Sequence, residues 1–334
     1  MVADTHPEQV SAHGETPTED AESDQKDIDT HLREIAEIAR PTADEGHVAE
    51  HEDALGGADP NGFAIALIEN DGTEHLEGDV DQVFPIQSIS KAFALTLAMQ
   101  KVDRVSAVAD EIWARIGREP SGDPFNSLVQ LEHEKGIPRN PMINAGALVV
   151  DDILLDHCSD PTAEITALVS ELAGGDIGTN HEVAQMERDT SHRNLAVANL
   201  MADFGNIRNP VDEVLALYVH QCSLSMSTRQ LARAVRFLSN DGVDPASGKR
   251  VLSDGLARRV TALMLTCGTY DAAGAFAFDV GLPCKSGVAG AIMAVVPNRL
   301  GAAVWSPALD DTGNSHAGRV ALHHLAERFD LSIF

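Results

Sequence analysis

Phe84-Pro-Ile-Gln-Ser88-Ile-Ser-Lys91-Ala92 carries an apolar, strand-like approach to a serine at which a helix begins. Ser88 and Lys91 stand three positions apart, a spacing that sets both side chains on one helical face. The amine can then reach the hydroxyl, and the helix N-terminus favours negative charge growing on the oxygen. To take a proton near neutral pH, Lys91 must be uncharged, which requires burial or a neighbouring cation. Alone, the pair is a weak signal, because two common residue types three apart arise readily at a solvent-facing helix start.

A second stretch, Gly281-Leu-Pro-Cys-Lys285-Ser286-Gly287-Val288-Ala-Gly290, places a lysine, a small residue and a glycine directly before a strand. Glycine there lets backbone approach a substrate closely. The bland alternative is an exposed edge lysine that blocks strand pairing, with Gly287 and Gly290 marking a bulge. Only six lysines occur, at 26, 91, 101, 135, 249 and 285, and two of them fall in these stretches. Together they resemble the S-x-x-K and Lys-Thr-Gly motifs of β-lactamases and penicillin-binding proteins, where the edge strand lines an acyl-transfer site.

The remaining pattern is read around this pair. Ile28, Leu32, Ile35, Ile38 and Ala39 recur at helical spacing, predicting a helix from Asp29 that stops at Arg40-Pro41. Residues 1 to about 28 are rich in Asp, Glu, Thr and Ser and predict a disordered acidic tail ahead of one domain, 29–334. Phe63-Ala-Ile-Ala-Leu-Ile68, Asn70-Asp-Gly-Thr73 and His75-Leu-Glu77 predict a hairpin turning at Gly72. Helical periods follow at 89–100, 105–116, 145–157, 161–172, 193–203, 211–222, 228–239 and 254–267, with Asp160 capping Pro161. Strands are expected again at Phe276–Val280, at Lys285–Gly287 leading into Ala289–Val296, and at Ala302–Ser306, before a last helix at 316–329. Strands at both ends of a helical block predict an α/β (α+β) architecture: one antiparallel sheet built from the two termini, flanked by helices, with a helical subdomain.

Acidic residues number 52 against 24 basic, for a net charge of -28, which repels nucleic acid and anionic membrane surfaces. An acidic, lysine-poor surface fits a salt-rich cytoplasm, where ions screen self-repulsion. Cys158, Cys222, Cys267 and Cys284 show neither zinc spacing nor a disulfide framework and are expected to be reduced, mostly buried thiols. The N-terminus lacks a basic start and an apolar h-region, so a cytoplasmic location is expected. His47-x-x-x-His51 lacks the glutamate of H-E-x-x-H, and no metal or cofactor is expected.

Further blocks fix a narrower resemblance. Gln87-Ser88-Ile-Ser-Lys91, Gly117–Asn126, Arg139-Asn-Pro-Met-Ile-Asn144-Ala-Gly-Ala147, Glu187-Arg188 with Arg193-Asn194, Tyr218 with Gln221-Cys-Ser223, Cys267-Gly-Thr-Tyr270-Asp271 and Lys285-Ser-Gly-Val288 are similar, in this order, to motifs of the serine-dependent glutaminases. The similarity runs from about Asp59 to Ser315 and includes both tyrosines of the chain, Tyr218 and Tyr270. It implies a β-lactamase-like fold and hydrolysis of L-glutamine to glutamate and ammonia. The resemblance assigns Ser88 as nucleophile, Lys91 as base, and the backbone N–H groups of Ser88 and Val288 as oxyanion hole. Glu187 would meet the α-ammonium, with Asn144, Asn194 and Tyr218 on the α-carboxylate end. Tyr270 would pass a proton to the departing ammonia, with Gln87, Lys285 and Gly287 in support. A homodimer or homotetramer is implied as well.

One departure stands out: where the family carries Asp-Tyr-Ile-Pro, this chain has Glu50-His51-Glu52-Asp53, so His51 replaces an active-site phenol. An imidazole has a different reach and titrates near neutrality. Two rival readings remain at this level: a penicillin-binding or β-lactamase-type acylase, and an inactive glutamine-binding protein.

Overall fold

The computed structural model describes residues 19–48, 59–104, 106–121 and 127–334. Eight strands lie among them: β1 Ala64–Glu69, β2 Glu74–Gly78, β3 Val83–Pro85, β4 Gly178–Thr179, β5 Leu224–Ser227, β6 Cys284–Gly287, β7 Ala291–Val296 and β8 Leu300–Trp305. The main sheet has the order β2-β1-β8-β7-β6 and is antiparallel throughout. Ala64 pairs with Trp305 and Glu69 with Leu300, so the expected union of the two chain ends is a direct β1–β8 ladder.

Both faces of this sheet are buried, and strand alternation divides them. Ile65, Leu67, Ile292, Ala294, Ala302 and Val304 pack against the terminal helices Glu19–Ala39 and His316–Arg328. The opposite set, including Ala66, Ile68, Met293, Val295, Ala303 and Trp305, joins the core of the helical block. Such burial explains why β1, β7 and β8 read as nearly continuous apolar runs.

Most expected helices are present at close to their expected limits, among them Ser90–Arg104, Asn144–His157, Pro161–Ala173, Val211–Cys222 and Asp254–Cys267. Ala163 N donates to Asp160 Oδ1 at 3.0 Å, the cap anticipated from the sequence. The 228–239 segment divides into Thr228–Ala234 and Arg236–Ser239, where the chain lies on β8. A side chain on Gly301 would come 2.2 Å from Ala232 O and 2.7 Å from Val235 Cγ1, so glycine permits that close approach.

Two expectations need correction. Phe276–Val280 is no strand: Ala273–Asp279 is a helix, with Phe276 buried and Phe278 91% exposed. The apolar alternation there imitates a period of two, but alanine-rich sequence on a chain leaving a helical turn at Tyr270–Ala272 continues as helix. The first helix begins at Glu19, ten residues ahead of the expected start. Once Leu32, Ile35 and Ala39 anchor its second half, extending the helix toward the N-terminus costs little. The rest of the expected acidic tail, 1–18, lies outside the described residues.

Three helices escaped the sequence reading: Leu128–His133, His181–Thr190 and Ala273–Asp279. The small sheet β3-β5-β4 escaped it too, being made of strands two to four residues long. It matters, because β3 pairs with β5 and delivers the chain to Ser88. Phe84 stacks on Trp305 with ring centroids 5.4 Å apart, and Trp305 Nε1 donates to Ala289 O at 3.0 Å. One indole therefore ties the approach to Ser88 to both β8 and the turn after β6. No helix among the described residues is long and apolar enough to cross a membrane.

Candidate active site

Ser88 sits in a single 3-10 turn, Gln87–Ile89, set immediately before helix Ser90–Arg104. Ile89 N donates to Ile86 O at 3.0 Å and closes the turn, while Gln87 takes a left-handed φ of 47°. A non-glycine residue held there is backbone strain maintained by its surroundings. Lys91 Nζ lies 2.6 Å from Ser88 Oγ and 3.3 Å from the Tyr218 hydroxyl. Lys91 is 1% exposed, and burial draws its pKa below the ordinary lysine value. Cys222 and the charges of Glu187 and Asp151 oppose that shift. Burial raises the Tyr218 phenol, keeping it a neutral hydrogen-bonding group.

Strand β6 lies across the same turn. A carbon added at Gly287 would fall 2.6 Å from Ile86 O and 3.3 Å from Ile89 Cγ1, so only glycine lets β6 come this close to Ser88. Val288, which follows, is partly buried. Lys285 is 0% exposed, which excludes the exposed-edge reading. Its Nζ donates to Gly268 O at 3.0 Å and Ser286 O at 2.8 Å and lies 4.7 Å from the centre of the Tyr270 ring. Burial, with Lys91 second, pushes the Lys285 pKa well down. The Tyr270 hydroxyl donates to Ser286 O at 3.1 Å. Burial raises its pKa far above the ordinary phenol. Tyr270 has a φ of 55°, a second strained residue.

Asn144 and Asn194 come from the starts of two helices, Asn144–His157 and His192–Asp203, and Asn144 Nδ2 donates to Asn194 Oδ1 at 3.0 Å. Glu187, on helix His181–Thr190, is partly buried and its charge is felt at Lys91 and Tyr218. Ser88, Lys91, Tyr218, Tyr270, Lys285 and Gly287 are thus gathered at one place, with Glu187 in electrostatic range. His51 and the rest of 50–53 lie outside the described residues. The four cysteines are unpaired thiols.

Sequence reasoning missed Asn314. Its Nδ2 donates to Thr269 O at 3.2 Å while Ser286 Oγ hydrogen-bonds its Oδ1, so it clamps the Tyr270 loop to β6. Asp151 was missed too; two adjacent aspartates inside the apolar run Ala147–Leu155 were the available signal. A serine hydroxyl, a buried amine and a phenol, facing a glycine-bearing strand, form equipment for acyl transfer.

Comparison with known proteins yields one family. The Glutaminase family matches residues 46–334. A glutaminase of Mesorhizobium japonicum is 50% identical over 310 residues, 92% of this chain and 96% of that protein. The crystal structure of a probable glutaminase of Bacillus subtilis superposes with a TM-score of 0.83 at 34% identity, covering 92% of this chain and 98% of that one. A covalent complex between a Bacillus subtilis glutaminase and 5-oxo-L-norleucine, formed by reaction with 6-diazo-5-oxo-L-norleucine, superposes with a TM-score of 0.79 at 33% identity, covering 90% and 98%. The fold is the β-lactamase-like one expected.

Proposed function

The chain belongs to the glutaminase family, and from that footing we propose that it hydrolyses L-glutamine to L-glutamate and ammonia through a γ-glutamyl ester on Ser88. The observation that carries the reading is the 2.6 Å approach of the buried Lys91 amine to the Ser88 hydroxyl. Buried and drawn below its ordinary pKa, Lys91 can be the neutral amine that a weak serine nucleophile requires.

Lys91 takes the Ser88 proton as Oγ bonds to the side-chain carbonyl carbon. The oxyanion that forms is held by the N–H groups of Ser88 and Val288, each supplying ~3 to 4 kcal/mol. A proton passes from Lys91 to the amide nitrogen by way of Tyr270, the C–N bond breaks, and ammonia leaves. Water, deprotonated by Lys91, then attacks the ester and frees glutamate.

Glu187 receives the α-ammonium and Asn144, Asn194 and Tyr218 orient the α-carboxylate end, since a small zwitterion needs a buried carboxylate and several neutral donors. Gln87 and Gly287 shape the turn, Lys285 steadies Tyr270, and His51 takes the place that the family resemblance gives to a phenol. The covalent complex of the Bacillus relative supports a nucleophilic route. The reading extends to a cytoplasmic homodimer or homotetramer, to be sized by light scattering.

Coupled ammonia release on wild type and Ser88→Ala tests the proposal. A loss of about 10⁴-fold or more in kcat is expected. A folded Ser88→Ala protein within tenfold of wild type overturns it.

A further inference from the structure

One helical turn beyond Tyr218, which touches Lys91, lies a buried polar layer that the chemistry above does not use. Asp151 follows Asn144 by seven positions on helix Asn144–His157, two turns along the same face, and is 0% exposed. Gln221 follows Tyr218 by three on helix Val211–Cys222, one turn along the face from which Tyr218 reaches Lys91. Gln221 Nε2 donates to Asp151 Oδ1 at 3.1 Å and to Oδ2 at 2.9 Å. Its Oε1 is buried without a hydrogen-bond partner among the described residues, a costly arrangement. A neutral carboxylic acid would present an O–H and attract that oxygen; an amide offering only donors suits an ionised carboxylate.

We propose that Asp151, held by Gln221, is a positioning residue for the Ser88 reaction: its carboxylate is the buried countercharge that stabilises the Lys91 ammonium when Lys91 takes up the serine proton. The inference rests on Lys91 serving as the base of Ser88. Before the step the layer holds one negative charge; afterwards it holds an ammonium and a carboxylate. The proton moves from Ser88 Oγ to Lys91 Nζ, and Asp151 neither gains nor loses one.

Burial pushes the Asp151 pKa well up and the adjacent Asp152 adds to it, while Lys91 and Gln221 act against it. Reciprocally, Asp151 raises Lys91 against burial. Among the surrounding groups, Lys91 is the cation whose charge is felt at Asp151. Arg115, from the neighbouring helix Ser106–Arg115, is taken by Asp152. Helix His192–Asp203 contributes the apolar Val197, Ala198 and Met201 to the buried core. On helix Val211–Cys222, burial raises the Tyr218 phenol and pushes the Cys222 thiol up to about 11, so both are neutral. Glu187, from helix His181–Thr190, adds negative charge on the Tyr218 side of Lys91.

The test is the pH profile of kcat/KM for Asp151→Asn, an isosteric neutral replacement. Without the countercharge Lys91 binds its proton less tightly, so the acid limb moves about one pH unit toward acid and the plateau falls roughly three- to tenfold. A limb displaced by less than about 0.2 unit with a plateau within about twofold, neither of which reaches the shift of one unit expected here, overturns the proposal. Should Asp151→Asn not fold, Gln221→Leu removes both donors, favours the neutral acid, and is expected to move the limb the same way; an unmoved limb there is equally fatal. Ser88→Ala is assayed alongside. Activity in that variant removes the Ser88–Lys91 reading itself, whereas an inactive Ser88→Ala with an unmoved Asp151→Asn removes only the role of Asp151.

Discussion

Adding one methyl group to β6 should disable the site while leaving the fold in place. In Gly287→Ala the new carbon would stand 2.6 Å from Ile86 O. Ordinary contact begins near 3.4 Å, so strand and turn must part by about 0.8 Å. The oxygen being pushed is the one that accepts from Ile89 N and closes the turn bearing Ser88. The displacement therefore falls on Ser88 and on the neighbouring Val288 N–H together. A misplacement of ~1 Å can cost ~10²-fold, which is about 2.7 kcal/mol of transition-state stabilisation. We expect kcat/KM for glutamine to drop by about that factor, with overpacking lowering stability by ~1 to 3 kcal/mol. Initial rates of ammonia release measure the first, and urea unfolding the second. Gly274→Ala is the control: a carbon there meets nothing within 4 Å, and activity should be unchanged. A folded Gly287→Ala enzyme within threefold of wild type would refute the close approach of β6 as a requirement for catalysis.

Two further outcomes follow from buried and surface charge. Arg115, 4% exposed, is bonded to Asp152, itself 0% exposed, which also accepts from Arg208 N at 3.0 Å and Asn209 N at 2.8 Å. Arg115→Met should lower unfolding free energy by about 3 to 5 kcal/mol by stranding the carboxylate; a loss under about 1 kcal/mol in urea titration contradicts this. With a net charge of -28, melting temperature and activity should rise as KCl is added and self-repulsion is screened. Highest stability in dilute buffer would remove the salt-adapted reading.

The parts of this molecule that were legible in the sequence are those written in local periodicity. Asn70-Asp-Gly-Thr73 announced the hairpin, and Gly72 indeed takes a φ of 98°. Asp160-Pro161 announced a helix start, and the cap is present. Local period misled at Phe276–Val280, because an Ala-Phe-Ala-Phe run satisfies a period of two while one of its phenylalanines faces solvent on a helix. Helix His181–Thr190, which carries Glu187, buries only Val183 and Ala184 and offered no apolar stripe to read. Within the site, Ser88, Lys91, Lys285 and Gly287 were findable as two motifs, since each motif is local. Asp151, Gln221 and Asn314 act by meeting partners 70, 70 and 28 positions away, contacts that only the folded chain creates.

The central claim, a serine made nucleophilic by a buried lysine, is tested most directly by locating the covalent adduct. The protein is treated with 6-diazo-5-oxo-L-norleucine, digested, and its peptides sequenced by mass spectrometry. We predict a 5-oxo-norleucine adduct on Ser88, absent from Ser88→Ala and formed far more slowly in Lys91→Met. An adduct on another residue, or inactivation that leaves Ser88 unmodified, would contradict the account.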